Sequence, residues 1–359
     1  MASSTTCQPR NRAVLAAARR SGIIMGMPRN RFLVSCLLAL APSLPAWATV
    51  FDLPTSDAPL LGREERVVTS FEDTLYEIAR RYSLGSEEVL RVNPGLDPWL
   101  PGAGKSIVIP GQRVLPPAPR EGIVVNLPEH RLYFYPAAKA GQPQRVYTYP
   151  ISIGKMDWRT PLGKTKVVDK RERPNWIPPE SVRLEHIASG DPLPAVVPPG
   201  PDNPLGLYAM RLALPGGSYL IHGTNNPIAV GMAVTHGCIR MYPEDIAELF
   251  PMVAVNTPVY LINEPVKVAW VDGRLMLEAH PPVDADGQTA EPELPVFEGL
   301  LDKALGDAVV AIHWDKARAE LKAALGMPVV VGLEAVNPLA DSPPAEPAQT
   351  ELNAAPNPL

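Results

Sequence analysis

Residues 221–241 read IHGTNNPIAVGMAVTHGCIRM. His222 ends the apolar run Tyr219-Leu220-Ile221, which places it at the end of a strand. Eleven residues beyond Asn225 comes His236-Gly237-Cys238-Ile239-Arg240. A thiol near neutral pH is only about a few per cent thiolate. A neighbouring imidazole can take its proton and hold an ion pair, which predicts a thiol pKa lowered by several units. Gly237 lets the backbone approach a substrate carbonyl, and the amides around Gly237 and Cys238 can donate to a developing oxyanion. Arg240 adds a fixed positive charge that favours the thiolate or holds a carboxylate. Of the two histidines, His222 is the better base, because it approaches from a separate strand. His236 shares an extended segment with Cys238, two rises of about 3.3 Å away, and suits the shaping of the site. Two other readings stand beside this one: zinc held by His222, His236 and Cys238, and histidines packed around an inert cysteine. Zinc is disfavoured because the spacing lacks the C-x-x-C or H-x-x-x-H pairs of zinc sites.

The stretch Thr235-His236-Gly237-Cys238-Ile239-Arg240, with His222 upstream, resembles the signature of the L,D-transpeptidase catalytic domain, the YkuD-like family. EGIVVNLPEHRLYFYP, TPLGKTKV, PLPAVVPPGPDNPLGLYAM and YPEDIAELF are similar to its ErfK/YbiS-like periplasmic branch. The likeness spans about residues 64–268. It implies a mainly β catalytic domain over 122–263, a transpeptidase-type β-sandwich with one short helix and a long Pro-rich lid loop. It implies Cys238 as nucleophile and His222 as base, supported by His236, Gly237, Arg240 and Thr235. Gly223, Thr224, Tyr208 and Trp176 are the candidate substrate-binding residues. Cys238 would form a thioester with a peptidoglycan tetrapeptide stem and release D-Ala. An amine of a second stem, or a lysine of an outer-membrane lipoprotein, would then take the acyl group. The thioester carries the energy forward, so no cofactor and no metal is expected. An L,D-carboxypeptidase or hydrolase with water as acceptor, and a non-catalytic peptidoglycan-binding protein, are the alternatives.

The remaining pattern sets the surroundings. Residues 64–111 read β-α-α-β, with a strand at 66–68, helices at 74–82 and 86–92, the turn Asn93-Pro94-Gly95 and a strand at 106–110. DTLYEIARRY, VNPGL and IVIP in this segment resemble the LysM glycan-binding module, with Glu72-Asp73 where Gly-Asp is usual. Residues 112–121 form a proline-rich linker. Strands are expected at 123–127 and 131–135 as a hairpin, and at 145–153, 164–170, 207–214, 218–221 and 259–262, with a helix at 243–253. Residues 174–205 carry nine prolines and little periodicity. They are read as a lid over Cys238, with Trp176 and Pro192 to Pro204 lining the acceptor path. Residues 264–336 form a C-terminal extension with a hairpin around Asp272-Gly273 and helical periodicity over 311–325. The tail 337–359 is expected to be disordered.

Composition narrows the class further. The net charge of -5 leaves no basic excess for nucleic acid. The 44 prolines favour short strands, turns and extended connections over long helices. Arg29 and Arg31, the apolar run 32–45 and the A-x-A of Ala46-Trp47-Ala48 read as an export signal over 1–48, with Met25 or Met27 as possible starts. The mature chain is then expected in the periplasm without a transmembrane segment. Cys7 and Cys36 fall in the removed part, which leaves Cys238 alone. A single thiol cannot form an internal disulfide in an oxidising compartment.

Overall fold

The computed structural model describes residues 50–53, 59–155, 160–215, 219–282, 293–305 and 310–334. The expected export signal, with Cys7 and Cys36, and the tail 337–359 lie outside the described residues.

The described chain opens with β1 (Val50–Leu53) and β2 (Leu60–Leu61), followed by a small β-α-α-β unit: β3 (Glu64–Val68), α1 (Leu75–Arg81), α2 (Ser86–Val92) and β4 (Ser106–Pro110). Thr74 and Glu77 form a capping box that satisfies both backbone amides at the start of α1. Asn93 joins the far end of α2 to β4: its amide donates to the carbonyls of Val89 and Val108, and its oxygen accepts from Val108 N–H. Leu75, Ile78, Leu84, Val89, Ile107 and Ile109 fill this unit's own core. β5 (Arg113–Val114) pairs with β2.

The barrel strands are β6 (Gly122–Asn126), β7 (Arg131–Tyr135), β8 (Gln144–Gly154), β9 (Gly163–Glu172), β10 (Tyr208–Leu212), β11 (Leu220–His222), β13 (Ile239–Met241) and β14 (Pro258–Ile262). Between them lie α3 (Glu180–Ala188), the short β12 (Ala233–Thr235) and α4 (Pro243–Met252). The strands pair in the order β8-β13-β11-β10-β9-β14-β6-β7, and β7 returns to β8. This closed ring corrects the expected sandwich. Closure depends on β8, whose residues 147–150 pair with β7 while Ile151 and Ser152 pair with β13. Inward residues alternate along each strand, as a two-residue period requires: Ile123 and Val125, Leu132 and Phe134, Tyr149, Ile151 and Ile153, Val259 and Leu261. Ile246, Leu249 and Phe250 of α4 pack into the same core. Fully burying such side chains stabilises by roughly 1.5–3 kcal/mol each.

The expected single helix is also corrected. α3 forms inside the proline-rich segment, directly after Pro178-Pro179, with Pro179 as its N-cap. The described residues of 264–334 fold as a layer with its own sheet and core. β15 (Val266–Val271) and β16 (Arg274–Ala279) are the expected hairpin, with Asp272 and Gly273 both at positive φ. α5 (Leu294–Leu305), β17 (Val310–Ile312), α6 (Trp314–Ala323) and β18 (Val329–Glu334) complete a four-stranded sheet under two helices with its own core.

Buried charges join the three units. Glu88 of α2 accepts from Arg131 of β7 at 2.6 Å and from Arg113 at 3.2 Å. Lys267 of β15 bridges Glu129 and Glu278, and Glu278 accepts from His280 at 2.7 Å. Glu129, Glu278 and His280 are, among the described residues, the group whose ligand atoms converge as a metal site would. The Lys267 ammonium already occupies the position between the two carboxylates.

Candidate active site

The site forms where β11 and β13 run side by side in parallel, with Ile221 opposite Ile239 and His222 opposite Arg240. Adjacent strands lie about 4.8 Å apart, and by this register Leu220, the first residue of β11, stands beside the turn that precedes β13, with His222 two residues further along. That turn carries Cys238. Gly237 adopts φ 90°, a conformation that a side chain would strain. Two hydroxyls hold the turn: Thr235 donates to the Cys238 carbonyl at 2.6 Å and Thr160 to the Gly237 carbonyl at 3.0 Å.

His222 is buried, and its Nδ1 lies 2.6 Å from the Gly223 carbonyl. A carbonyl only accepts, so Nδ1 carries the proton and Nε2 presents a lone pair. Burial, with the Arg240 charge second, pushes His222 down to about 3. Burial pushes the Cys238 thiol up, against a backbone hydrogen bond with Leu220 and the Arg240 charge, which pull it down. Burial thus favours the neutral form of each group. The expected low-pKa ion pair is corrected, because desolvation disfavours both charges.

The spacer between His222 and Cys238 is gripped on several sides. Ser152 donates to Ala229 O at 2.7 Å, His130 Nδ1 sits 2.6 Å from Gly231 O, and Ile153 N–H reaches Met232 O. The β-α-α-β unit adds Ser86 N–H to Val230 O at 2.9 Å and Ser86 Oγ to Ile228 O at 2.7 Å. Gly85 and Gly231 meet backbone to backbone at this junction.

The other sequence candidates divide. Gly223 is confined between Ile246 and Leu205, and Thr224 accepts from Asn226 N–H, so both shape the strand end after His222. On β10 it is Ala209, the neighbour of Tyr208, that is the register partner of His222. Tyr208 turns to the opposite face and packs on Phe250 at 4.8 Å between ring centroids. Trp176 is half-buried and ties the proline-rich segment to itself through a two-bond bridge with Val197. That segment reaches the site through α3, where Glu185 accepts from His236 Nε2 at 3.0 Å and from Lys155 Nζ at 3.2 Å. Lys155, Thr160 and Glu185 were not singled out from the sequence. TPLG, which begins at Thr160, was legible only as part of the family likeness.

Comparison with known proteins agrees with this geometry. The profile of the YkuD family, the L,D-transpeptidase catalytic domain, matches residues 120–261. A protein of Escherichia coli (strain K12) described as "Probable L,D-transpeptidase YcfS" is 42% identical over 84% of this chain and 93% of its own length. The chain belongs to the L,D-transpeptidase family. The same organism's "Probable L,D-transpeptidase ErfK/SrfK" is 38% identical over 85% of this chain and 97% of that protein. Its "Probable L,D-transpeptidase YbiS" is 41% identical over 66% and 77%. This L,D-transpeptidase family enzyme thus aligns with its relatives well beyond the barrel. Among the described residues no helix is long and apolar enough to cross a membrane.

Proposed function

We propose that the protein is a periplasmic peptidoglycan L,D-transpeptidase with Cys238 as nucleophile and His222 as base. The observation that carries this reading is the His222 tautomer: Nδ1–H is spent on the Gly223 carbonyl at 2.6 Å, at the end of the strand that runs beside β13. Nε2 then takes the thiol proton as sulfur attacks the carbonyl between the third stem residue and D-Ala. The proton passes to the departing D-Ala amine. Amides of the Gly237-Cys238 turn face the developing oxyanion, and Thr235 and Thr160 keep that turn rigid. An acceptor amine next attacks the thioester, gives its proton to His222, and the thiolate leaves. Arg240 favours the thiolate through its charge. A backbone carbonyl does the orienting that a carboxylate performs in other triads.

The acceptor is an amine of a second stem or a lipoprotein lysine, and the β-α-α-β unit is a LysM-like module that engages the glycan. The family membership, the export signal and the proline-rich segment docked on His236 support this assignment. The test is incubation of purified protein with disaccharide-tetrapeptide, with and without a lysine-ended acceptor peptide, read by mass spectrometry. D-Ala release with a crosslinked dimer or a peptide adduct is expected. Tripeptide alone would make the enzyme a carboxypeptidase, and no D-Ala release would overturn the reading.

A further inference from the structure

Both oxygens of Glu185 are engaged, each by a different donor: Oε1 by Lys155 Nζ at 3.2 Å and Oε2 by His236 Nε2 at 3.0 Å. The two donors belong to the frame of the nucleophile. Lys155 N–H donates to Thr235 O at 2.9 Å, and His236 is two residues from Cys238. The acceptor belongs to α3, in the middle of the proline-rich segment. A carboxylate therefore bridges two nitrogen donors, one two residues from Cys238 and one on the residue hydrogen-bonded to Thr235, and it sits on a different element from them. The Glu185, Lys155 and His236 side chains are 55%, 36% and 27% exposed, so water and a competing anion have access. Ion pairs in such exposure are weak and exchange readily.

We propose that Lys155 and His236 form a subsite for the carboxylate of the donor's leaving residue, and that Glu185 fills it in the resting protein. This rests on the transpeptidase reading. Cys238 and His236 are two residues apart, at most about 7 Å along the chain. A carboxylate one residue beyond the scissile carbonyl stands about 3.6 Å from it, and in the proposed complex the Lys155 and His236 side chains close the remaining gap. The incoming carboxylate displaces Glu185 and releases α3. When the leaving residue departs with its carboxylate, Glu185 returns and the segment closes again over the thioester. The device selects donors that end in a free carboxylate one residue past the cleaved bond.

The test does not require turnover. Cys238 is alkylated with N-carboxymethylmaleimide and, separately, with its neutral amide N-carbamoylmethylmaleimide. In both, sulfur adds to the ring alkene and the thiol proton passes to the adjacent carbon. The acid places its carboxylate several bonds from sulfur, as the donor would. In Glu185→Gln the ratio of acid to amide rates should rise about 2- to 5-fold over wild type, the range of an exposed ion pair. Glu180→Gln, which removes the same charge from the same helix, should leave the ratio unchanged. Glu185→Gln combined with Lys155→Met should return it to the wild-type value. An equal rise in Glu180→Gln, an equal gain for both reagents in Glu185→Gln, or a gain kept without Lys155 would each overturn the subsite. Failure of the transpeptidase reading would appear separately, as absence of D-Ala release, and does not enter this ratio.

Discussion

Replacing His222 by glutamine should flatten the acid limb of the stability curve. The His222 side chain is 4% exposed, and burial, with Arg240 second, holds its pKa at about 3. In the unfolded chain the ring titrates near about 6.5. Between these values the unfolded chain binds a proton that the folded chain does not. The contribution is therefore fully present above about pH 6.5 and is lost as pH falls toward the folded value. At about 1.36 kcal/mol per unit, the loss from this residue between about pH 7 and pH 4 is on the order of 3 kcal/mol. His280, lowered to about 4 by burial, adds a slope of the same sign. It is present in both proteins and cancels in their difference. The assay is urea unfolding of wild type and His222→Gln at several pH values across that window. The variant starts lower, because it loses the ring's packing, but should lose about 3 kcal/mol less on acidification. Parallel losses would refute the reasoning: the ring would then titrate alike in both states and would not be a buried neutral base.

Other substitutions probe the frame around the site. Glu88→Gln leaves Arg131 and Arg113 buried without their carboxylate and should cost about 3–5 kcal/mol in denaturant unfolding. Glu244→Gln breaks a half-exposed pair with Arg80 and should stay within about 1 kcal/mol. Gly231→Ala would drive a Cβ to 2.5 Å from Gly85 Cα and Ser86 N at φ +96°; a loss of at least about 2 kcal/mol, seen as a lower urea midpoint, is expected. Thr235→Val removes the hydrogen bond to the Cys238 carbonyl and should lower kcat about 5-fold with little change in urea midpoint, consistent with about 1 kcal/mol.

The proposed nucleophile could be picked out because its chemistry is local: a histidine, a glycine and a cysteine adjacent in sequence, with a second histidine ending an apolar run. The hairpin of β6 and β7 and the helices α1, α2 and α4 were legible for the same reason, since alternation and helical periodicity show within each segment. Barrel closure was not, because it depends on one long strand pairing with β7 over residues 147–150 and with β13 over the next two. β12 and β13 are three residues each, too short to show a period. α3 escaped because only Val182 is buried while Leu184 and Ile187 are exposed, so it has no core-facing stripe to detect. The orienting group for His222 is a backbone carbonyl, which no side-chain motif announces. The protonation of the resting pair follows from burial, which becomes known only when the fold does.

The central claim, that Cys238 carries the acyl group, is tested most directly by intact-protein mass spectrometry after brief exposure to disaccharide-tetrapeptide and an acid quench. The account predicts one adduct on Cys238 with the mass of the donor less D-Ala, and none in a folded Cys238→Ala protein. D-Ala release, or an adduct at another residue, in Cys238→Ala would contradict it.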